Sequence, residues 1–208
     1  MAADRFSARK PASQPRAHET VDAILHASSR IVDGDGTGAL TTKRIAEIAG
    51  VSIGSLYQYF PGKDAVLHAL VRREFNKTVD ANVKFIAAID AATTPLEKAI
   101  AGIVDHVFEG QNRRRPFYRQ IVMSVLSIKH MKFTLENDQR VLDAVKAKLS
   151  EYPAIDQDGL DGGLFVALHA LKGVQIGMVL SDREASAPLR DAVTRSILAC
   201  VRSRRDTC

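Results

Sequence analysis

Cysteine is scarce: of 208 residues, only Cys200 and Cys208 carry a thiol. Two thiols so close together give neither a disulfide framework nor a metal-binding spacing, and such usage fits a reducing compartment. The six histidines, at 18, 26, 68, 106, 130 and 169, contain no H-x-x-x-H pair. No serine or cysteine sits in a recognisable nucleophile elbow. With no catalytic residue, metal site or cofactor motif to build on, an enzyme is the remote alternative. Residues 1–15 are polar and lack the apolar stretch of a secretory signal. The longest apolar-rich segment, Leu160 to Leu180, is interrupted by Asp161, Gly162, Gly163, His169, Lys172 and Gln175. It reads as too polar to span a bilayer, so no membrane partner is expected and the location expected is cytoplasmic. No run of period two is long enough for a strand. The seven prolines fall mostly at starts or between periodic segments, where a helix tolerates them.

What remains is an all-α chain of about nine helices, with ordinary globular values of 46% hydrophobic and 25% charged residues. The formal net charge of +5 permits a polyanionic partner without demanding one. Residues 1–17 set Arg5, Arg9, Lys10 and Arg16 against the single acid of Asp4 and read as a flexible basic arm. Residues 18–63 read as a first domain of three helices, and 64–208 as a connecting helix followed by a second helical domain. Val21, Ile24, Leu25, Ile31 and Val32 recur at helical spacing. The glycine-rich run from Asp33 to Gly38 then stops that helix. This run imitates the first half of a calcium loop, but the twelfth position, where a bidentate acid belongs, is Arg44. It reads as an interhelix loop. Arg113, Arg114 and Arg115 form a basic cluster that reads as a solvated loop.

Thr41 to Phe60, TTKRIAEIAGVSIGSLYQYF, is the most informative stretch. Thr41 and Thr42 open one short helix and Ser52 opens another, since hydroxyls satisfy the orphan amides of a helix start. Gly50 supplies the turn between them. Ala46, small and four positions before the glycine, lets the helices cross closely. Leu56, six positions after it, anchors the second helix and frees its other faces for a major groove. Pro61-Gly62 ends the pair, and a long helix from Lys63 to about Ile89 follows.

With its flanks, VSIGSLYQYFPGKDAVL closely resembles the recognition helix and following helix of the TetR (tetracycline-repressor-like) family of bacterial regulators. The motif-level resemblance covers residues 20–70. It implies a helix-turn-helix that binds double-stranded DNA. Thr42, Ser52, Ser55, Tyr57, Tyr59 and Lys63 would meet phosphates, and Gly54 would let the backbone approach the duplex. Base reading would fall to Ile53, Ser55, Tyr57 and Gln58: glutamine pairs with adenine, and isoleucine touches a thymine methyl. Many family members carry lysine where this chain has Ile53, so one phosphate or guanine contact is absent here. Phe60 reads as core.

The segment 159–182 is apolar nearly all round, so its helix should be buried on two sides, one of them a second subunit. The resemblance places a dimer interface on this helix and the last one. Leu168, Leu171, Gly173, Ile176, Gly177, Leu180, Val193, Ile197 and Val201 are its candidates. The resemblance also implies a small-molecule pocket in the second domain, with Phe108, Phe117, Tyr118, Met123, Leu126, His130, Phe133, Phe165 and His169 as candidate lining by chemistry. The function expected is a ligand-responsive repressor, bound as a homodimer to a near-palindromic operator and released by a small molecule. The alternative is a DNA-binding regulator or architectural protein without a sensor.

Overall fold

The computed structural model describes residues 15–113, 117–119, 131–155 and 157–202. Eight α-helices are delimited among them: α1 (Pro15–Asp35), α2 (Thr42–Ala49), α3 (Ile53–Tyr59), α4 (Lys63–Ala87), α5 (Leu96–Arg113), α6 (Met131–Leu149), α7 (Leu160–Leu180) and α8 (Ala187–Val201). A 3-10 turn at Thr37–Ala39 precedes α2, residues 117–119 are also helical, and the described residues contain no strand. Residues 1–14 of the expected basic arm, and Met123, Leu126 and His130 of the expected pocket, lie outside the described residues.

The described chain divides into two compact units, and the division falls inside α4, between Phe75 and Asn76. The sequence pattern places the boundary between residues 63 and 64. The first turns of α4 explain the difference, because Ala65, Val66, Leu70 and Val71 are all buried core positions of the first unit.

In the first unit, α1 packs on α2 and on the 3-10 turn, and α2 packs on α3. The stripe read from the sequence becomes core: Ile24, Ile31 and Val32 are buried with Leu40, Ile45, Leu56 and Phe60. Ser28 sits in the same stripe without penalty, because its hydroxyl donates to the Ile24 carbonyl one turn back at 2.7 Å. Residues 117–119 belong to this unit, and Phe117 is buried.

In the second unit, α8 packs on both α5 and α7, and α6 packs on α7. One core cluster joins Ile100, Leu149, Tyr152, Leu164, Leu198 and Val201; a second joins Val104, Phe108, Leu171, Met178 and Val193. The α7–α8 crossing is close at Gly163, where a β-carbon would collide with the Cys200 carbonyl. Salt bridges between Lys146 and Asp161 and between Lys172 and Asp138 fix α6 and α7 as antiparallel neighbours. By length and composition α7 is apolar enough to cross a membrane, which corrects the reading of this stretch as too polar. Its polar interruptions are mostly small or uncharged, and only Asp161 and Lys172 carry full charges.

Candidate nucleic-acid interface

The corner between α2 and α3 is built by local chemistry. Thr41 caps α2, its side chain accepting a hydrogen bond from the Arg44 amide at 3.2 Å. Gly50 ends the helix in the left-handed region, at φ 68° and ψ 28°. Its amide donates to the Glu47 carbonyl at 3.3 Å and the Val51 amide donates to the Ala46 carbonyl at 3.0 Å, the paired bonds of a Schellman ending. Ser52 then caps α3, its Oγ accepting from the Ser55 amide at 2.9 Å. The chain therefore reverses within Gly50 to Ser52, with the Ala46 and Glu47 carbonyls and the Ser55 amide satisfied locally.

Burial sorts the side chains of α3. Leu56 and Phe60 are inside, and Tyr59 is half-buried. Ile53 and Tyr57 are large side chains left 48% and 42% exposed, and Gln58 and Gly54 are also exposed. Ile53 and Tyr57, four residues apart, lie on one side of the helix. Ser52 and Ser55 share a hydroxyl–hydroxyl hydrogen bond of 2.8 Å, so both are tied to the start of the helix. Thr42, half-buried on α2, lies 3.4 Å from the Tyr57 hydroxyl, a contact that props the ring. The sequence hid this pairing because the two residues are far apart in the chain and meet only once the corner has formed. Lys63 is exposed at the start of α4. In the glycine-rich loop, Arg44 pairs with Asp35 at 2.5 Å. The cation at the twelfth position of the calcium-like run thus neutralises the acid at its third.

Six of the nine candidate pocket residues are among the described residues. Phe108 is fully buried in a core cluster, and Phe117 and Tyr118 belong to the first unit. Phe165 is 57% exposed, with its ring centroid 4.1 Å from that of His169, which is exposed as well. Phe133 is half-buried at the start of α6. The second unit does contain an apolar cavity of about 70 Å³, but its walls are aliphatic, from Ile86, Ile103, Val107, Val141, Leu168 and Ile197 among others. Leu168, Leu171, Ile197 and Val201 of this lining are also candidates for the interface. The signal that could have found the set is the aliphatic i, i+4 spacing within α5, α6 and α7, which bulk and aromaticity outweighed.

The interface candidates also divide. Leu171, Val193 and Val201 are buried in the unit's own core, and Leu168, Ile176 and Ile197 are half-buried. Gly173, Gly177 and Leu180 are exposed on α7. They continue a face formed by Phe165, Val166, His169 and Ala170, all exposed, at the three- and four-residue spacing of one helix side.

Two short helices at a glycine corner, with a buried anchor and an exposed polar–aromatic face, define a helix-turn-helix protein. Residues 24–70 match the sequence model of the family described as bacterial regulatory proteins, tetR family. That segment of the chain is a domain of this family. It is 38% identical over 79 residues to the HTH-type transcriptional regulator BetI of Rhizobium meliloti, a match covering 38% of this chain and 37% of BetI. It is 49% identical over 39 residues to the nucleoid occlusion factor SlmA of Actinobacillus pleuropneumoniae, covering 19% of each protein. These matches therefore span well under half the length of either relative. A solved structure of a SmeT–triclosan complex shares the fold, with a TM-score of 0.60 at 20% identity over 89% of this chain and 92% of that one.

Proposed function

We propose that this chain is a transcriptional repressor that binds a near-palindromic DNA operator as a homodimer and is released by a small molecule. One observation carries the reading: α3 seals Leu56 inside while leaving Ile53, Tyr57 and Gln58 on one accessible face. A face of this width suits a major groove, where glutamine reads adenine and isoleucine meets a thymine methyl. Thr42, Ser55, Tyr59 and Lys63 would add phosphate contacts, which set position rather than sequence preference. Ser52 is occupied as a helix cap and contributes through the helix start that it holds.

A single short helix reads few base pairs, so useful specificity calls for two copies related by a two-fold axis. The exposed apolar face of α7 supports that pairing. The proposed contact surface is Phe165, Val166, Ala170, Gly173, Ile176, Gly177 and Leu180, with Leu171, Val193 and Val201 behind it as core. This arrangement would also bury α7 against protein instead of lipid, consistent with action on DNA in the cytoplasm. For the effector, the support is the aliphatic cavity of the second unit and the triclosan named with SmeT. Effector binding would favour a conformer whose two recognition helices no longer match successive grooves. A complete switch requires the ligand to discriminate between conformers by about 5.5 kcal/mol.

SlmA, named a nucleoid occlusion factor, supports a second reading: a DNA-bound protein controlled without a small molecule. Selecting sequences from a random duplex pool, then screening metabolites for release, separates the two. Recovery of an inverted repeat with release by a metabolite is the expected result. A repeat that no metabolite releases favours the second reading, and a pool without enrichment overturns both.

A further inference from the structure

We propose that the second unit binds a short aliphatic molecule ending in an uncharged hydrogen-bond donor, an alcohol being the simplest case. This deepens the effector reading above and rests on it. The cavity of about 70 Å³ is lined by no aromatic ring and no charged side chain among the described residues; Asn82 is the one polar residue in its wall. A 150 Å³ apolar cavity accepts benzene, so this one suits a chain of about four carbons.

The polar end lies beyond the cavity wall on three helices, one turn away on α5 and α7 and one to two turns away on α6. On α5, Val107 lines the cavity and Gln111 follows four residues later; on α7, Leu168 and Leu171 are followed by Lys172 and Gln175. On α6, Val141 lines the cavity and Asn137, Asp138 and then Thr134 precede it. Residues three or four apart share a helix face, so the wall continues into a polar layer. Gln111, Thr134, Asn137 and Asp138 are all at least nine-tenths buried. Because α6 and α7 are antiparallel with Asp138 beside Lys172, Thr134 falls level with Gln175 and hence with Gln111.

Most of this layer is already satisfied. Lys172 donates to both Asp138 oxygens, at 2.9 and 2.6 Å. Asn137 donates to the Phe133 carbonyl at 3.0 Å and accepts from Arg140 at 3.1 Å. Among the described residues two atoms are left over: Gln111 Oε1 and Thr134 Oγ1 are buried without a hydrogen-bond partner. Buried polar atoms in that condition are rare and call for an explanation. Gln111 Nε2 donates to the Gln175 carbonyl at 3.4 Å, and turning the amide over would set two oxygens against each other. The Gln111 oxygen is therefore fixed as an acceptor and needs a donor. A carboxylate brings only acceptors and finds Lys172 already neutralised by Asp138. A hydroxyl donates to Gln111 and exchanges a hydrogen bond with Thr134.

The test uses the full chain and three probes of similar size: butan-1-ol, butyrate, and diethyl ether as an acceptor without a donor. Affinities are measured by ligand-observed NMR titration at pH 7.5. The alcohol should bind about tenfold more tightly than butyrate or the ether, the size of effect one buried hydrogen bond produces. Gln111→Leu and Thr134→Val should each erase most of that preference. Both variants remove an unpartnered buried atom at nearly constant shape, so both should fold, which thermal melting checks. Equal binding of the three probes, no binding of the alcohol, or unchanged preference in both folded variants would overturn the proposal. A duplex-release assay with butan-1-ol tests the effector reading separately. Binding with the expected preference but without release refutes that reading and leaves the site chemistry standing.

Discussion

Leu56 and Tyr57 are neighbours in sequence with opposite fates, one fully buried and the other 42% exposed, and the proposed DNA reader depends on that contrast. Replacing Leu56 with alanine should destabilise the chain by about 3 kcal/mol and abolish duplex binding in a folded fraction assay, because the anchor sets the tilt of α3. Tyr57→Ala combined with Lys63→Ala should leave helicity intact and reduce operator affinity more than tenfold in a gel-shift titration; retained affinity would move the reader elsewhere. His106 gives the fold a dependence on pH. His106 stacks flat on Phe85, with ring centroids 4.2 Å apart. Its pKa is lowered, first by burial and then by the Arg113 charge, with Glu109 opposing. The unfolded chain therefore takes up this proton first, so stability is intact above the ordinary histidine value of 6.5 and declines as pH falls below it. Melting curves from pH 7.5 to 5 should show that decline, and His106→Gln should flatten it. At this scale much was legible beforehand. Thr41, Gly50, Ser52 and Leu56 announce themselves because capping and anchoring depend on near neighbours in the chain. The Tyr57–Thr42 contact and the Phe85–His106 stack depend on folded geometry and left no mark in the spacing.

Helices were legible as elements, and the faces of α7 were not. An amphipathic helix such as α1 reveals its buried side by its period, and Ile24, Ile31 and Val32 fell inside as read. A helix apolar nearly all round carries no such phase. Its inner face, Leu164, Ala167, Leu171 and Met178, and its outer face, Phe165, Val166, Gly173 and Leu180, have almost the same composition. The same ambiguity hides the cavity, which is walled mainly by valine, leucine and isoleucine and not by aromatic residues. Gly163 provides the element-scale test. A β-carbon there meets the backbone carbonyl of Cys200, which has no rotamer to escape into. Gly163→Ala should push α7 and α8 apart and lower the melting temperature by several degrees, an effect of about 1–3 kcal/mol. Gly173→Ala, with open space around it in the single chain, is the matched comparison for folding of the protomer.

For the whole molecule, duplex recognition is proposed to require two chains. Phe165→Asp places a charge in the middle of the outer α7 face and should yield a folded monomer by sedimentation, with operator binding reduced to the weak, salt-sensitive kind that phosphates alone support. The same face has a consequence for how robust the fold is. A chain that leaves phenylalanine, valine and leucine side chains in water along one helix gains stability whenever a second copy covers them. Mass action then links heat resistance to abundance: the melting point should slide downward as samples are diluted toward the dissociation constant, and a cell holding few copies would hold less durable ones.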